Sequence, residues 1–294
     1  MRSGMVSLIG RPNVGKSTLL NSILETKLAI TSPKAGTTRN IIQGVYEDDD
    51  AQIVFVDTPG IHKPMHKLGN VLNKKAYGTS SDVDLILFLV DALEPIGKGD
   101  MFILDRLKEE NVPVILVLNK VDKINKANLL ELIMKYKDIY PFQEIVPLSA
   151  LKGDNVDDLI KTVKKYLPNE GKIFTDDTFT NISTDFYIAE IIREKVLLKT
   201  RDEVPHSVTC LVEEKNERKD KVIISALIIV DRASIKRIIV GKNGSMLKDI
   251  GTSARIDLEE YFGKKVYLSL FVKVINNWRD KDKYLKEFGI SSDE

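Results

Sequence analysis

The stretch Gly10-Arg11-Pro12-Asn13-Val14-Gly15-Lys16-Ser17 fits G-x-x-x-x-G-K-[ST], a glycine-rich turn that joins a strand to a helix. Glycines let the main chain wrap around phosphate oxygens, so that successive N–H groups point inward at a helix N-terminus that already favours anions. Lys16 is placed to reach β- and γ-phosphates, and the Ser17 hydroxyl to ligate Mg²⁺. A chance match is expected on the order of once per hundred chains of this length. Here the turn lies between an apolar strand at residues 6–9 and a helical pattern at 16–26, the context this chemistry requires.

Working outward from the turn, short β-branched runs at 53–56, 85–90, 114–118 and 145–148 read as strands. Helical patterns fall at about 69–81, 101–111, 127–136 and 155–166. Continuous apolar runs of this length are expected where both faces of a parallel sheet are buried. The alternation is that of a doubly wound α/β sheet. The acidic tip at 47–50 reads as a hairpin turn before the strand that ends at Asp57.

Three further groups of residues close strands. In Asp57-Thr58-Pro59-Gly60 the carboxylate can hold Mg²⁺ through water, and the Gly60 N–H can meet a γ-phosphate. Alone that pattern is an ordinary turn; its place at a strand end after a phosphate loop gives it meaning. Asn119-Lys120-Val121-Asp122 follows the strand at 114–118. Asp122 can accept from the N1 and N2 donors of guanine, a pair that adenine lacks, so the wrong base leaves a carboxylate unpaired. Lys120 can lay its stem over the base plane, and Asn119 can tie neighbouring loops together. Ser149-Ala150 ends the last strand, where a backbone N–H could meet guanine O6.

The chain has 294 residues, 43% hydrophobic and 30% charged, a soluble globular composition long enough for two domains. No apolar run approaches the ~18 residues of a membrane span. The first strand begins so early that no targeting peptide is expected, and the lone Cys210 excludes an internal disulfide and reads as a buried thiol. Together these point to the cytosol. A net charge of +1 argues against a broad nucleic-acid-coating surface, although lysines cluster at 161–165 and 264–286. Leu167-Pro168-Asn169-Glu170-Gly171 stops a helix and opens a polar linker. Domains are therefore expected at 1–167 and 179–294, joined by a linker at 168–178.

The second half is α+β: a helix at 184–199, strands at 207–214 and 221–231, a short helix, a glycine corner, a helix at about 245–262, a strand at 266–274 and a terminal helix. The corner, Gly241-Lys242-Asn243-Gly244, matches the G-x-x-G loop of a KH domain, whose glycines admit a nucleic-acid backbone close to the main chain. The four-residue pattern is weak alone; the surrounding α-β-β-α-α-β order lifts it. The segment 278–288 is basic and amphipathic, and reads first as a packing helix with solvated lysines, second as an RNA or anionic-membrane contact.

Taken in order, these motifs resemble the translation-factor-related GTPases, and most closely the Era family, over essentially the whole chain. The fold implied is an α/β P-loop GTPase domain with a mixed, mostly parallel sheet, followed by an α+β type II KH domain. The resemblance implies a GTPase that uses Mg²⁺, with Ser17, Thr38 and Asp57 around the ion and Lys16, Thr38, Asp57 and Gly60 catalytic. Nucleotide contacts are implied at Gly10, Asn13, Val14, Gly15, Lys16, Ser17, Thr18, Thr37, Thr38, Asp57, Gly60, Asn119, Lys120, Asp122, Ser149, Ala150 and Leu151. Thr38 is preferred over Thr37 as the ligand and γ-phosphate sensor of the first switch loop, and the segment from Gly60 to about Lys75 resembles the second switch. Ile61 stands where Ras-like enzymes carry a water-orienting glutamine, so intrinsic hydrolysis is expected to be slow. Asn13 is a candidate K⁺ ligand beside the phosphates. His62, His66 and His206 are read as surface or packing residues. RNA contact is implied at Gly241, Lys242, Asn243 and Gly244, with Ile239, Ser245 and Lys248 as neighbours. The implied target is the 3′ end of 16S ribosomal RNA during 30S subunit maturation, bound by a monomer in the cytoplasm, with peripheral contact to the cell membrane as a further candidate.

Overall fold

The computed structural model describes residues 1–61, 64, 66–79, 82–174 and 178–291. Contacts divide them into two units. The first holds Met1–Thr31, the stretch from Thr38 and Leu72–Asn181; the second holds Ser32–Thr37, residues 66–71 and the chain from Ile182 onward.

In the first unit six strands form one sheet: β1 (Arg2–Ile9), β2 (Ile42–Glu47), β3 (Ala51–Asp57), β4 (Leu85–Asp91), β5 (Val114–Asn119) and β6 (Glu144–Pro147), in the order β2-β3-β1-β4-β5-β6. Only β2 runs antiparallel to its neighbour. The helices are α1 (Lys16–Ile23), α2 (Lys67–Gly78), α3 (Lys98–Leu107), α4 (Lys126–Ile139) and α5 (Val156–Tyr166). Every residue of β3 and β5 is buried, which is why these strands read as unbroken apolar runs rather than alternating ones. Each large aliphatic so placed contributes about 1.5–3 kcal/mol relative to exposure. Asp57 and Asn119 therefore stand at the carboxyl ends of strands whose own positions are set by burial, where ligands of such sheets collect.

β2 follows from the hairpin expected at 47–50. Asp48 shapes the turn by accepting the N–H groups of Asp50 and Ala51, each at 3.0 Å. As an edge strand β2 offers unpaired main-chain groups, and residues 172–174 and 178–181, read from sequence as largely linker, cover them. The Val45 N–H donates to Phe179 O at 3.0 Å, and Thr180 Oγ1 donates to Gln43 O at 2.7 Å. Buried Gln52 accepts the N–H groups of Ile173 and Phe174, both at 2.8 Å. The division between units accordingly falls after Asn181.

The second unit has a three-stranded sheet of β7 (Val208–Glu217), β8 (Lys221–Val230) and β9 (Lys265–Val274), with β8 central, antiparallel to β7 and parallel to β9. Its helices are α6 (Thr184–Lys199), α7 (Val204–Ser207), α8 (Ala233–Val240), α9 (Ser245–Phe262) and α10 (Asp282–Glu287). Ser183 starts α6 by capping the Phe186 N–H at 3.2 Å. In the terminal segment Trp278, Leu285, Phe288 and Ile290 are buried, and Trp278 Nε1 donates to Ser207 O at 3.0 Å. Its apolar face is thus packed within the unit.

Candidate functional site

The turn after β1 and the start of α1 form the phosphate loop. Gly15 has φ +101°, and a Cβ there would fall 2.2 Å from Asn119 Nδ2, so a side chain is excluded both by conformation and by space. Lys16 is buried and its Nζ donates to Gly10 O and Arg11 O, each at 3.0 Å. The ammonium is thereby folded over the loop where phosphate oxygens would lie. Gly60 lies against Pro12 of the same loop. Thr18 is half-buried in the first turn of α1.

Three oxygens converge beside Lys16. Ser17 Oγ donates to Asp57 Oδ2 at 2.5 Å, and Thr38 Oγ1 lies 2.8 Å from Ser17 Oγ and 3.4 Å from Asp57 Oδ2. Thr37 instead turns its hydroxyl into its own loop, to Ser32 Oγ at 2.7 Å and Lys34 O at 2.6 Å. Thr38, not Thr37, therefore faces Ser17 and Asp57. Asp57 is fully buried and its Oδ1 has no hydrogen-bond partner among the described residues. Burial pushes Lys16 down to about 8 against the attraction of Asp57, and lifts Asp57 to about 6 against Lys16 and the hydroxyls. An unused buried carboxylate oxygen among hard oxygen donors fits Mg²⁺, which Ser17, Thr38 and Asp57 would hold. Bound there, the ion would supply positive charge to β- and γ-phosphate oxygens.

The base end is built by β5 and the turn after β6. Asn119 donates Nδ2–H to Val14 O at 2.8 Å and accepts the Ala150 N–H at 2.9 Å, so it ties the phosphate loop to the Ser149-Ala150 turn. Of the main-chain N–H groups in the turn expected to meet guanine O6, that of Ala150 is engaged by this side chain. Asp122 is oriented by Ser149 Oγ, which donates to Oδ1 at 2.8 Å. Leu151 is 75% exposed beside it, an apolar edge at the mouth of the base site. Lys120 Nζ donates to Asn13 O at 2.9 Å and also to the Asp91 carboxylate. Asp91 was absent from the sequence reading; its only signal is a charge closing the otherwise apolar strand β4. Arg11 was likewise passed over, although Asp100 of α3 accepts its Nη1–H at 2.9 Å and holds the loop from outside.

Ile61 is 3% exposed, inside the hydrophobic cluster that includes Ile9, Phe88 and Leu104. Its side chain cannot hydrogen-bond a water, while its N–H donates to Gly10 O at 3.3 Å. His66 Nδ1 lies 3.4 Å from Asp280 Oδ2 within the second unit, a carboxylate neighbour that sequence order did not reveal. His206 is exposed in α7, and His62 lies outside the described residues.

In the second unit α8 ends at Gly241, whose φ of +72° and backbone approach to Met246 admit no Cβ; one would fall 2.8 Å from Met246 N. Lys242 and Asn243 are exposed in the turn that follows, Gly244 leads into α9, and Ser245 and Lys248 are exposed in its first turns. Beside the turn is a cleft of about 390 Å³ walled by Gly244, Leu247, Lys248, Gly251, Thr252 and Arg255 from the α9 side and by Leu268 and Leu270 of β9. Main chain at one end and aliphatic walls beyond suit an unstacked nucleotide strand. One expected contact is corrected: Ile239 is fully buried with Ile235, one helical turn away, so it is a core residue and not an RNA contact. Its neighbour Ile238 is 48% exposed.

A phosphate loop, a guanine motif and a G-x-x-G cleft on these two folds define a P-loop GTPase coupled in one chain to a KH domain. Family models agree: that of the 50S ribosome-binding GTPase matches residues 5–120, and that of the KH domain matches 203–279. Two solved structures are similar along the whole chain, each at 44% identity and TM-score 0.96, covering 99% of this chain and 100% of theirs. One is Era in complex with MgGDPNP and nucleotides 1506–1542 of 16S ribosomal RNA; the other is a point variant of Aquifex aeolicus Era bound to GDP and AlF₄⁻. The chain belongs to the Era family and is a GTPase. No helix among the described residues is long and apolar enough to cross a membrane.

Proposed function

We propose that this GTPase acts as a molecular switch that binds the 3′ end of 16S ribosomal RNA and assists maturation of the 30S subunit. The observation that carries the reading is the full-length likeness to an Era structure that holds MgGDPNP and 16S ribosomal RNA together. This chain has both the phosphate loop and an exposed G-x-x-G turn beside an aliphatic cleft. Lys16 neutralises charge on the β- and γ-phosphates, Ser17, Thr38 and Asp57 hold Mg²⁺, and the Gly60 N–H meets the γ-phosphate. Asp122 reads guanine while Lys120 covers its face. Ile61 is buried, so the attacking water is oriented by main-chain groups or a partner, and Asn13 holds K⁺ where a second positive charge is needed. With γ-phosphate bound, Thr38 and Gly60 order the two switch loops; release of phosphate frees them. The protein works as a monomer in the cytoplasm, and Gly241–Gly244 with Ser245 and Lys248 contact the RNA backbone.

The direct test is fluorescence anisotropy with a labelled 16S 3′-terminal oligonucleotide and a scrambled one of equal composition, alongside phosphate release from GTP. The proposal expects tighter binding of the authentic sequence by about 10-fold or more. Equal affinity for the two oligonucleotides would leave a GTPase without this RNA target.

A further inference from the structure

Lys120 has a left-handed backbone (φ 67°), and its ammonium ends between two acceptors, Asn13 O at 2.9 Å and the carboxylate of Asp91. Asp91 is the last residue of β4, paired in register with Asn119 of β5, so parallel strands deliver the acid and the guanine motif to one end of the sheet. Its other oxygen accepts the Leu93 N–H at 3.0 Å, and its main-chain oxygen accepts the Glu94 N–H at 3.1 Å. The carboxylate is thus fixed to a turn, with its side chain only 14% exposed and that of Lys120 30%. An ammonium clasped between two fixed acceptors cannot swing, and its four-carbon stem is held with it.

We propose that Asp91 is a positioning residue for the guanine nucleotide. Its carboxylate holds the Lys120 ammonium against the phosphate loop, so that the aliphatic stem is already set as a cover for the base face before nucleotide arrives. The inference rests on the assignment of the GTP site and adds to it a residue outside the guanine motif. Asp122 reads the N1 and N2 donors; the Lys120 stem packs on any purine. Loss of Asp91 therefore weakens guanosine and inosine nucleotides alike, whereas loss of a base-reading group would not.

The test is stopped-flow release of a fluorescent (methylanthraniloyl) GDP from the full-length chain with Mg²⁺. The set is wild type, Asp91→Asn, Lys120→Gln and the double variant, with melting of the nucleotide-free proteins as the folding control. Asp91→Asn is expected to speed release by about 10- to 100-fold, the loss of one charge-assisted hydrogen bond. The double variant is expected to release no faster than Lys120→Gln alone, because without the ammonium the carboxylate has nothing to hold. The ratio of GDP to IDP affinity is expected to stay at the wild-type value. Release from Asp91→Asn within about twofold of wild type, or effects that multiply in the double variant, would overturn the proposal. Should Asp91→Asn not fold, Asp91→Glu keeps the charge but displaces it, and release at the wild-type rate then overturns the proposal equally. A wild-type protein that fails to retain the fluorescent GDP sinks the GTP-site assignment itself; retention with an unaltered Asp91→Asn sinks only this inference.

Discussion

Two glycine turns in this chain each deliver main chain to the start of a helix, Gly10–Ser17 before α1 and Gly241–Gly244 before α9, and they are built in opposite ways. The first is filled with charge held out of water: Lys16 and Asp57 are both buried, with one carboxylate oxygen unpartnered. The second keeps Lys242 and Asn243 in solvent beside a shallow aliphatic cleft. The nucleotide turn is a preorganised receptacle of buried charge, suited to phosphate and a cation. The RNA turn is an accessible surface that gains affinity from close main-chain approach and many weak contacts. Deletions at the first should therefore be severe, and those at the second graded.

The largest effect is expected from Lys16→Ala. Turnover of GTP should fall by about 10³-fold or more, since Arg11, the other cation of the loop, is engaged by Asp100. Phosphate release under single-turnover conditions measures it. Nucleotide-free RNA binding should hold within about threefold, because Lys16 acts on the RNA turn only through bound nucleotide. A comparable loss of RNA binding would break the comparison.

The converse change is Lys242→Glu with Asn243→Asp. Removing one cation and adding two carboxylates beside an RNA backbone should weaken the 16S oligonucleotide by about 10- to 100-fold, with a shallower salt dependence. GTP turnover without RNA should not change, because both residues are exposed and outside the nucleotide site. Anisotropy titrations at two salt concentrations and a phosphate-release assay together decide it.

A smaller effect concerns Asn13. If it holds K⁺, turnover in KCl should exceed that in matched NaCl by about 10-fold, and Asn13→Ala should erase the difference. Equal rates in the two salts would return the catalytic burden to main chain or a partner.

The smallest is a pH effect. Burial raises Asp57 to about 6 from its ordinary 3.8, so the nucleotide-free folded chain binds that proton more tightly than the unfolded chain does. The stability this contributes is complete below the unfolded value and is lost as pH rises through the folded one, on the order of 3 kcal/mol. Asp57→Asn removes the loss. Its Tm in EDTA, relative to wild type, should climb by a few degrees between about pH 4 and pH 7. Parallel curves would mean that Asp57 is not held unfavourably in the empty site.

The difference between the two turns also explains what was legible in the sequence. Strands β1, β3, β4 and β5 were readable because burial on both faces leaves unbroken apolar runs, and the phosphate loop because its chemistry dictates residue types at fixed spacing. Partners distant in sequence were not readable. Asp91 meets Lys120 only because β4 and β5 lie side by side, and residues 178–181 find β2 only because its edge is open. Whether Thr37 or Thr38 faced the metal site depended on a loop closed by Ser32 and Lys34. Ile239 is a different case: its i, i+4 spacing from Ile235 marked the buried face of α8, and the core reading was already available there.

The central claim is that occupancy of the buried turn is reported at the exposed one. Binding of a 16S 3′-terminal oligonucleotide to the full chain with a non-hydrolysable GTP analogue, with GDP and with no nucleotide tests it most directly. The account predicts the tightest binding with the GTP analogue, by about 10-fold over GDP, in line with the usual size of such couplings. The same affinity in all three states would contradict it, leaving two competent sites in one chain with nothing passing between them.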